Sequence, residues 1–256
     1  MSTAFFWDEQ SFWHGGGNYV FTVPVGGLVQ PSPTASLPES PETKRRLKNL
    51  MDVTGLSRDL DMRGADPATR ADLDRGGELG RRTPFGPGGY ELAALSAGLA
   101  KAAVRSVLMG TAQNAYALSR PPGHHCLPDW PNGFCLLNNI AIAIESAMAD
   151  GLCKRVAVVD WDVHHGNGTE AIFLDRDDVL AISLHQERNY PLDTGAGHVA
   201  YLDAFDRIVL PALDAYKPDL IIVACGYDAS ILDPLSQTLA TSQTFRDMTA
   251  RIMGAC

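Results

Sequence analysis

The sequence lacks the cysteine spacing of a disulfide framework or of a thiolate zinc site. Its 256 residues include five cysteines, none of which belongs to a C-x-x-C pair. An odd number of cysteines without paired spacing is typical of a protein from a reducing compartment. We therefore expect a cytoplasmic protein without structural disulfides.

Long apolar runs and excess positive charge are missing as well. No uncharged apolar stretch reaches the roughly 20 residues that a membrane span needs, and the first residues, MSTAFFWDEQ, do not resemble a secretion signal. Acidic residues outnumber basic ones by 30 to 21, and the net charge is -9. The one basic cluster, residues 44–48, fits the solvated face of a helix. We expect neither a membrane nor a nucleic acid as partner.

The composition that remains is ordinary for a globular protein. The chain is 45% hydrophobic and 20% charged and shows no internal repeat, which favours one domain over residues 1–256. Apolar spacing predicts helices over about 41–52, 88–110, 138–151 and 200–216, and buried strands within 156–159, 179–185 and 219–228. This alternation predicts a single three-layer α/β domain with a mainly parallel central sheet flanked by helices. Ligands of such sheets bind beyond the carboxyl ends of the strands.

Metal-binding side chains follow two of these predicted strands. Asp160, Asp162 and His164 are spaced by two, so a strand continued through them would point all three to one face. Asp228 ends another predicted strand and adds a further carboxylate. Such a set suits one divalent cation with open coordination positions, zinc first and iron second. The alternative is a capping and turn cluster without a metal.

Two adjacent histidines, His124 and His125, follow a Pro-Pro-Gly turn. A metal that activates water still needs a general base for the proton of the water and an acid for the leaving amine, and neighbouring imidazoles can supply both. His165 and the isolated His14, His185 and His198 are expected to be structural.

Four motifs occur together in one order: RPPGHH, NGFCLLNN, VDWDVHHGNGT and CGYDAS. In combination they resemble the zinc-dependent histone deacetylase family, and most closely its bacterial amidohydrolase and class II branches. The resemblance extends from about residue 80 to the end of the chain. It implies the fold shared by arginases and deacetylases. It also implies removal of acetyl or other acyl groups from acetyl-lysine, an acetylpolyamine or a related acylated primary amine.

The resemblance also implies roles for particular residues. It makes His125 the general acid and base, and His124 its electrostatic partner, oriented by Asp160. Asn167 stands where class II proteins have an asparagine that partners the second histidine. The zinc ligands implied are Asp162, His164 and Asp228, and a weaker potassium set comprises Asp160, Asp162, His164, Ser183 and Leu184. Gly133 and Phe134 match the wall of an acyl-lysine tunnel, with Phe134 as a plain core residue the alternative.

Three stretches of the family pattern have no counterpart. No Gly-Gly-Tyr follows Asp228, and the only such string, residues 88–90, is predicted to begin a helix. The stretches 69–80 and 186–197 are shorter than in the family. We expect the sequence to be incomplete or truncated. If it is complete, the missing oxyanion donor predicts a poor catalyst, slower by about two to three orders of magnitude.

Two other functions stay open. An arginase-like ureohydrolase would bind two manganese ions through Asp-x-His-x-Asp, but Gly166 stands where the second carboxylate belongs. A protein with the deacetylase fold could also hold zinc and an acyl-amine ligand without cleaving it. Whether the chain forms a homo-oligomer is left open.

Overall fold

The computed structural model describes residues 2–13, 19–20, 23–24, 39–73, 83, 88–186 and 192–255. The chain divides into two compact units, Met1–Leu152 and Cys153–Cys256. They are called the first and the second unit below. The single domain expected from composition stays a prediction.

The described part of the first unit contains a parallel sheet, an antiparallel pair of strands and four α-helices. The elements are β1 (Thr3–Trp7), β2 (Tyr19–Val20), β3 (Val23–Pro24), α1 (Pro41–Thr54), β4 (Asp61–Arg63), α2 (Arg70–Leu73), α3 (Gly89–Leu108), β5 (Asn114–Leu118) and α4 (Asn139–Ala149), with short 3-10 turns at Glu9–Trp13 and Leu56–Arg58. The parallel sheet has the order β4-β1-β5, with Phe5 of the central strand opposite Met62 and Tyr116. Strands β2 and β3, which follow β1 in the chain, form the antiparallel pair.

Local signals explain where the helices of the first unit begin and end. Ser40 caps α1, since its hydroxyl accepts from the Glu42 backbone N–H at 3.3 Å, and Pro41 occupies the first turn. Gly55 ends this helix at a φ of 84°, a left-handed conformation that favours glycine. The helices predicted within 41–52, 88–110 and 138–151 are therefore confirmed to within about two residues. The Gly-Gly-Tyr string at 88–90 opens α3, as expected.

The second unit contains a second parallel sheet. The elements are β6 (Val156–Asp160), α5 (Asn167–Phe173), β7 (Val179–Ser183), α6 (His198–Ala204), a π turn (Phe205–Val209), α7 (Leu210–Tyr216), β8 (Leu220–Ala224) and α8 (Ser242–Gly254). The order is β7-β6-β8, and Asp160 is paired with both Ser183 and Ala224. All five residues of β6 are buried, as predicted. The flanking strands β7 and β8 are only partly buried, because each has a strand on one side within this sheet.

Both three-stranded sheets are parallel, and the structure is an α/β fold with parallel sheets flanked by helices, as predicted. The sheet of the first unit was not predicted. Its β1 is short and aromatic, and Phe5 and Phe6 are buried. In the second unit one apolar core, which includes Val159, Trp161 and Phe205, packs behind the sheet.

Four cysteines lie in the described part of the chain, Cys126, Cys135, Cys153 and Cys225, and all are free thiols. Cys256 and His14 lie outside the described residues. Among the helices that the structure describes, none combines the length and the apolar character that a membrane crossing requires.

Candidate active site

Three predicted metal ligands meet in the second unit. Potential ligand atoms of Asp162, His164 and Asp228 all lie within 4.8 Å of one another. The Nδ1 of His164 is 2.8 Å from Asp228 Oδ2 and 3.2 Å from Asp162 Oδ1. Two carboxylates and one imidazole are a donor set that zinc and iron both accept, and three protein ligands leave positions open. The residues present therefore fit one divalent cation.

The local reason for this arrangement differs from the prediction. The strand does not continue through the ligands: β6 ends at Asp160, and residues 162–164 form a bend. The bend is held by side chains that accept from the backbone two residues on. The Asp162 N–H donates to Asp160 Oδ1 at 3.0 Å, and the His164 N–H donates to Asp162 Oδ1 at 2.9 Å. Such aspartate turns, and not strand alternation, bring the ligands together.

Asp228 reaches this bend from the end of the neighbouring strand. Its Oδ1 accepts from the Val163 backbone N–H at 2.9 Å while Oδ2 faces His164. Hydrogen bonds and charge from Asp162 and Asp228 raise the pKa of His164 to about 10. Burial raises the pKa of Asp228. Two carboxylates converging on one imidazole thus create a place where positive charge is favoured.

The two tandem histidines lie in the first unit. Their ring centroids are 3.9 Å apart, His124 is buried, and His125 is partly exposed. One ring of the pair is therefore shielded and the other can be reached from outside. This asymmetry suits a general base next to a fixed partner.

Side chains that the sequence analysis overlooked anchor this histidine turn. The carbonyl oxygen of Pro121 accepts from Ser96 Oγ at 2.8 Å and from Asn139 Nδ2 at 3.0 Å. Asn138 caps α4 through a bond from the Ala141 N–H, and its Nδ2 donates to the carbonyl of Cys126 at 3.2 Å. The adjacent asparagines of the NGFCLLNN motif were the available signal, because buried amides in a helix cap need partners.

Gly133 and Phe134 lie next to the histidine pair within the first unit. A Cβ on Gly133 would lie 2.3 Å from Cδ2 of His125, so the glycine backbone rests against the imidazole. Phe134 adopts a φ of 67° and is 39% exposed. That exposure does not fit a plain core residue. Its role as a tunnel wall stays a prediction.

The remaining predicted site residues belong to the second unit. Asp160 is buried, and its carbonyl accepts from the Leu184 N–H at 2.8 Å. Asn167 is the first residue of α5. The hydroxyl of Ser183 lies 2.9 Å from His185 Nδ1. The orienting roles of Asp160 and Asn167, and the potassium set, stay predictions.

The histidines expected to be structural each have neighbours where they are described. His165 Nε2 contacts a carboxylate oxygen of Glu170, and its ring stacks on His185, with ring centroids 4.4 Å apart. These three residues line a cavity of about 240 Å³. His198 Nδ1 lies 3.2 Å from the hydroxyl of Thr244. His185 is therefore not isolated.

Comparison with known proteins agrees with this fold. The family model described as "Histone deacetylase domain" matches residues 40–198 and 186–256. The chain is 51% identical to a histone deacetylase-like amidohydrolase of Pseudomonas aeruginosa, over 99% of this chain and 77% of the relative. It is 35% identical to a probable deacetylase of Archaeoglobus fulgidus, over 69% of this chain and 55% of the relative. A crystal structure of the HDA15 HD domain superposes with a TM-score of 0.86 at 29% identity, covering all of this chain and 81% of that one.

These findings define first a parallel α/β protein with an aspartate-histidine-aspartate cluster whose donor set fits one divalent cation. The chain belongs to the histone deacetylase family, because the family model matches most of its length. The alignment with the Pseudomonas relative spans 292 residues, more than the 256 of this chain. The relative therefore has internal residues without a counterpart here, in agreement with the shorter stretches noted in the sequence.

Proposed function

We propose that the chain is a zinc-dependent amidohydrolase that removes acetyl or related acyl groups from acetyl-lysine or another acylated primary amine. The observation that carries the proposal is the convergence of Asp162, His164 and Asp228 from two strand ends onto one point. Family membership supports a deacetylase or amidohydrolase activity. The metal identity, the substrate and the roles of the histidines are the proposed part.

Asp162, His164 and Asp228 would hold the zinc. When bound, the ion would supply a Lewis acid that polarises the amide carbonyl and acidifies a water molecule. His125 would take the proton of that water and later donate a proton to the leaving amine. The close packing of His124 on His125 supports a paired role, with His124 as the positioned electrostatic partner. Asp160 and Asn167 would orient the two rings, and a potassium ion would occupy the set given above.

Gly133 and Phe134 would bind the substrate. Phe134 follows Gly133, which contacts His125, and its exposed phenyl ring would offer an apolar face to the alkyl stem of an acyl-lysine or a polyamine. The net charge of -9 favours the approach of a cationic substrate. Both substrate types satisfy these features, so acetyl-lysine peptides and acetylpolyamines are tested side by side.

The other two functions are less well supported. Among the described residues, Asp162, His164 and Asp228 form a cluster suited to one ion, and Gly166 supplies no carboxylate for a second ion. A ureohydrolase with two metals is therefore not favoured. Binding without cleavage differs from the proposal only in turnover.

The test is acetate release by purified protein with zinc from an ε-N-acetyl-lysine peptide and from an acetylpolyamine. We expect release that Asp162→Ala abolishes and that Asp214→Ala, at an exposed position on α7, leaves unchanged. Tight hydroxamate binding without acetate from either substrate would overturn hydrolysis and favour a binding protein.

A further inference from the structure

Gly226 belongs to one of the two segments that carry the metal ligands, and it faces the other segment. Strands β6 and β8 pair in parallel, with Asp160 opposite Ala224 at the end of the ladder. Two residues further along each segment are Asp162 and Gly226. The ligand Asp228 follows Gly226 by two residues. Gly226 therefore lies opposite Asp162, where the two segments run side by side beyond the ends of their strands.

No room exists there for a side chain. A Cβ built on Gly226 would lie 2.3 Å from Asp162 Oδ2, 2.7 Å from its Cγ and 2.8 Å from its Cα. Carbon atoms in contact normally stay about 3.5 Å or more apart. Rotating the carboxylate could relieve the first two contacts, but the contact with the Cα requires the backbone to move.

The restriction is spatial and not conformational. Gly226 is absent from the glycines with positive φ, so its backbone would accept an alanine if space allowed. On either side of it the segments are held close together. The Trp161 N–H donates to the Ala224 carbonyl at 3.3 Å, and the Val163 N–H donates to Asp228 Oδ1 at 2.9 Å. A methyl group between these two contacts would separate the segments.

We propose that Gly226 is a positioning residue for the metal site: its missing side chain is the space that the Asp162 carboxylate occupies, and it lets Asp228 reach His164. The inference rests on the proposed metal-dependent function. Gly226→Ala would displace one ligand directly and lengthen the reach of another. Substituting a residue that orients metal ligands typically lowers metal affinity by about 10- to 100-fold.

The experiment measures zinc affinity of the full chain, without substrate. Protein stripped with a chelator is titrated with zinc against a chromogenic competitor, for wild type, Gly226→Ala, Gly254→Ala and Asp162→Asn. Gly254 ends α8 in the same unit, has a φ outside the left-handed range, and a Cβ there would have no neighbour within 4 Å. We expect a loss of at least about tenfold for Gly226→Ala, and none for Gly254→Ala.

The possible results distinguish a failure of the role proposed for Gly226 from a failure of the proposed metal-dependent function. The role of Gly226 alone would be overturned if Gly226→Ala bound zinc as tightly as wild type while Asp162→Asn bound it more weakly. Asp162→Asn binding like wild type would overturn the proposed metal site and the inference together.

A fold defect of Gly226→Ala is addressed by a double variant. Thermal melts without metal are recorded for Gly226→Ala in the wild-type and in the Asp162→Ala background. If the Asp162 carboxylate occupies the space beside Gly226, Gly226→Ala should lower the melting temperature less in the Asp162→Ala background than in the wild-type background. An equal loss in both backgrounds would contradict the proposal.

Discussion

The backbone of Gly133 rests against the ring of His125, so closely that a Cβ on the glycine would lie 2.3 Å from Cδ2 of the imidazole and 2.7 Å from its Cγ. Gly133, eight positions further along the chain, therefore limits the orientation of the His125 imidazole. Because His125 is the proposed proton carrier, this contact links a glycine to the chemistry of the site.

Gly133→Ala is expected to lower kcat through His125. The added methyl would push the ring from its place, and a displacement of about 1 Å can cost on the order of 100-fold in rate. Steady-state kinetics on an acetyl-lysine peptide, with the pH profile of kcat, measures the effect. Gly151→Ala is the matched control, since Gly151 has a φ of 69° against 51° for Gly133 but no atom within 4 Å of its Cβ. Backbone strain is thus present in both variants, and the clash in only one.

A double variant checks whether the effect of Gly133→Ala passes through the ring. In the His125→Ala background we expect Gly133→Ala to add little to the loss of activity. A loss of the same factor in both backgrounds would mean that Gly133 acts by another route.

His125→Ala is expected to lower kcat by about 100- to 10,000-fold and to leave bound zinc unchanged. The physical reason is that the variant removes the proposed proton carrier, while the three metal ligands remain. Acetate release and metal content are measured on the same preparation. His198→Ala, a partly exposed histidine at the start of α6, serves as control and should retain full turnover. Equal activity of the two variants would refute a proton-transfer role for His125.

Asp72 gives the first unit a stability that depends on pH. Burial would raise the pKa of this carboxyl, but bonds from Lys101 Nζ at 2.6 Å, Thr69 Oγ1 at 2.6 Å and the Thr69 N–H at 2.9 Å outweigh it and hold the pKa well below its usual range. A depressed pKa stabilises the fold above the unfolded value of about 4, and this contribution is lost as the pH falls through the folded pKa.

Asp72→Asn should therefore reduce the free energy of unfolding by about 1–3 kcal/mol at pH 7. The deficit relative to wild type should shrink as the pH falls below about 4. Urea denaturation at several pH values measures both quantities. Asp59→Asn, at an exposed position, should change neither. A deficit in the free energy of unfolding that grows as the pH falls would contradict the role given to the Asp72 carboxylate.

The sequence predicted β6, β7 and β8, each of which contains at least four consecutive aliphatic residues, and it missed β1, β4 and β5, which contain no such run. β6 is five buried residues in a row and was identified from its composition. In β4, two of the three residues are charged, and β5 is partly exposed along most of its length. Such strands are defined by their pairing with β1, which is information from distant parts of the chain.

For the site, spacing identified the ligands but gave a wrong reason for their convergence. Asp160 ends β6, and the ligands beyond it meet because carboxylates accept from backbone N–H groups. A spacing of two is compatible with both a strand and such a bend, so periodicity alone could not decide. The anchoring of the histidine turn by Ser96 and Asn139 depends on α3 and α4 packing together, which local sequence does not report.

The proposed function requires that Asp162, His164 and Asp228 hold one metal ion. The most direct measurement is the number of zinc ions per chain, by elemental analysis of purified wild type and of Asp228→Ala after dialysis in excess zinc. We expect one ion per wild-type chain and none in Asp228→Ala. Two ions per wild-type chain, or one ion that persists in Asp228→Ala, would contradict this expectation.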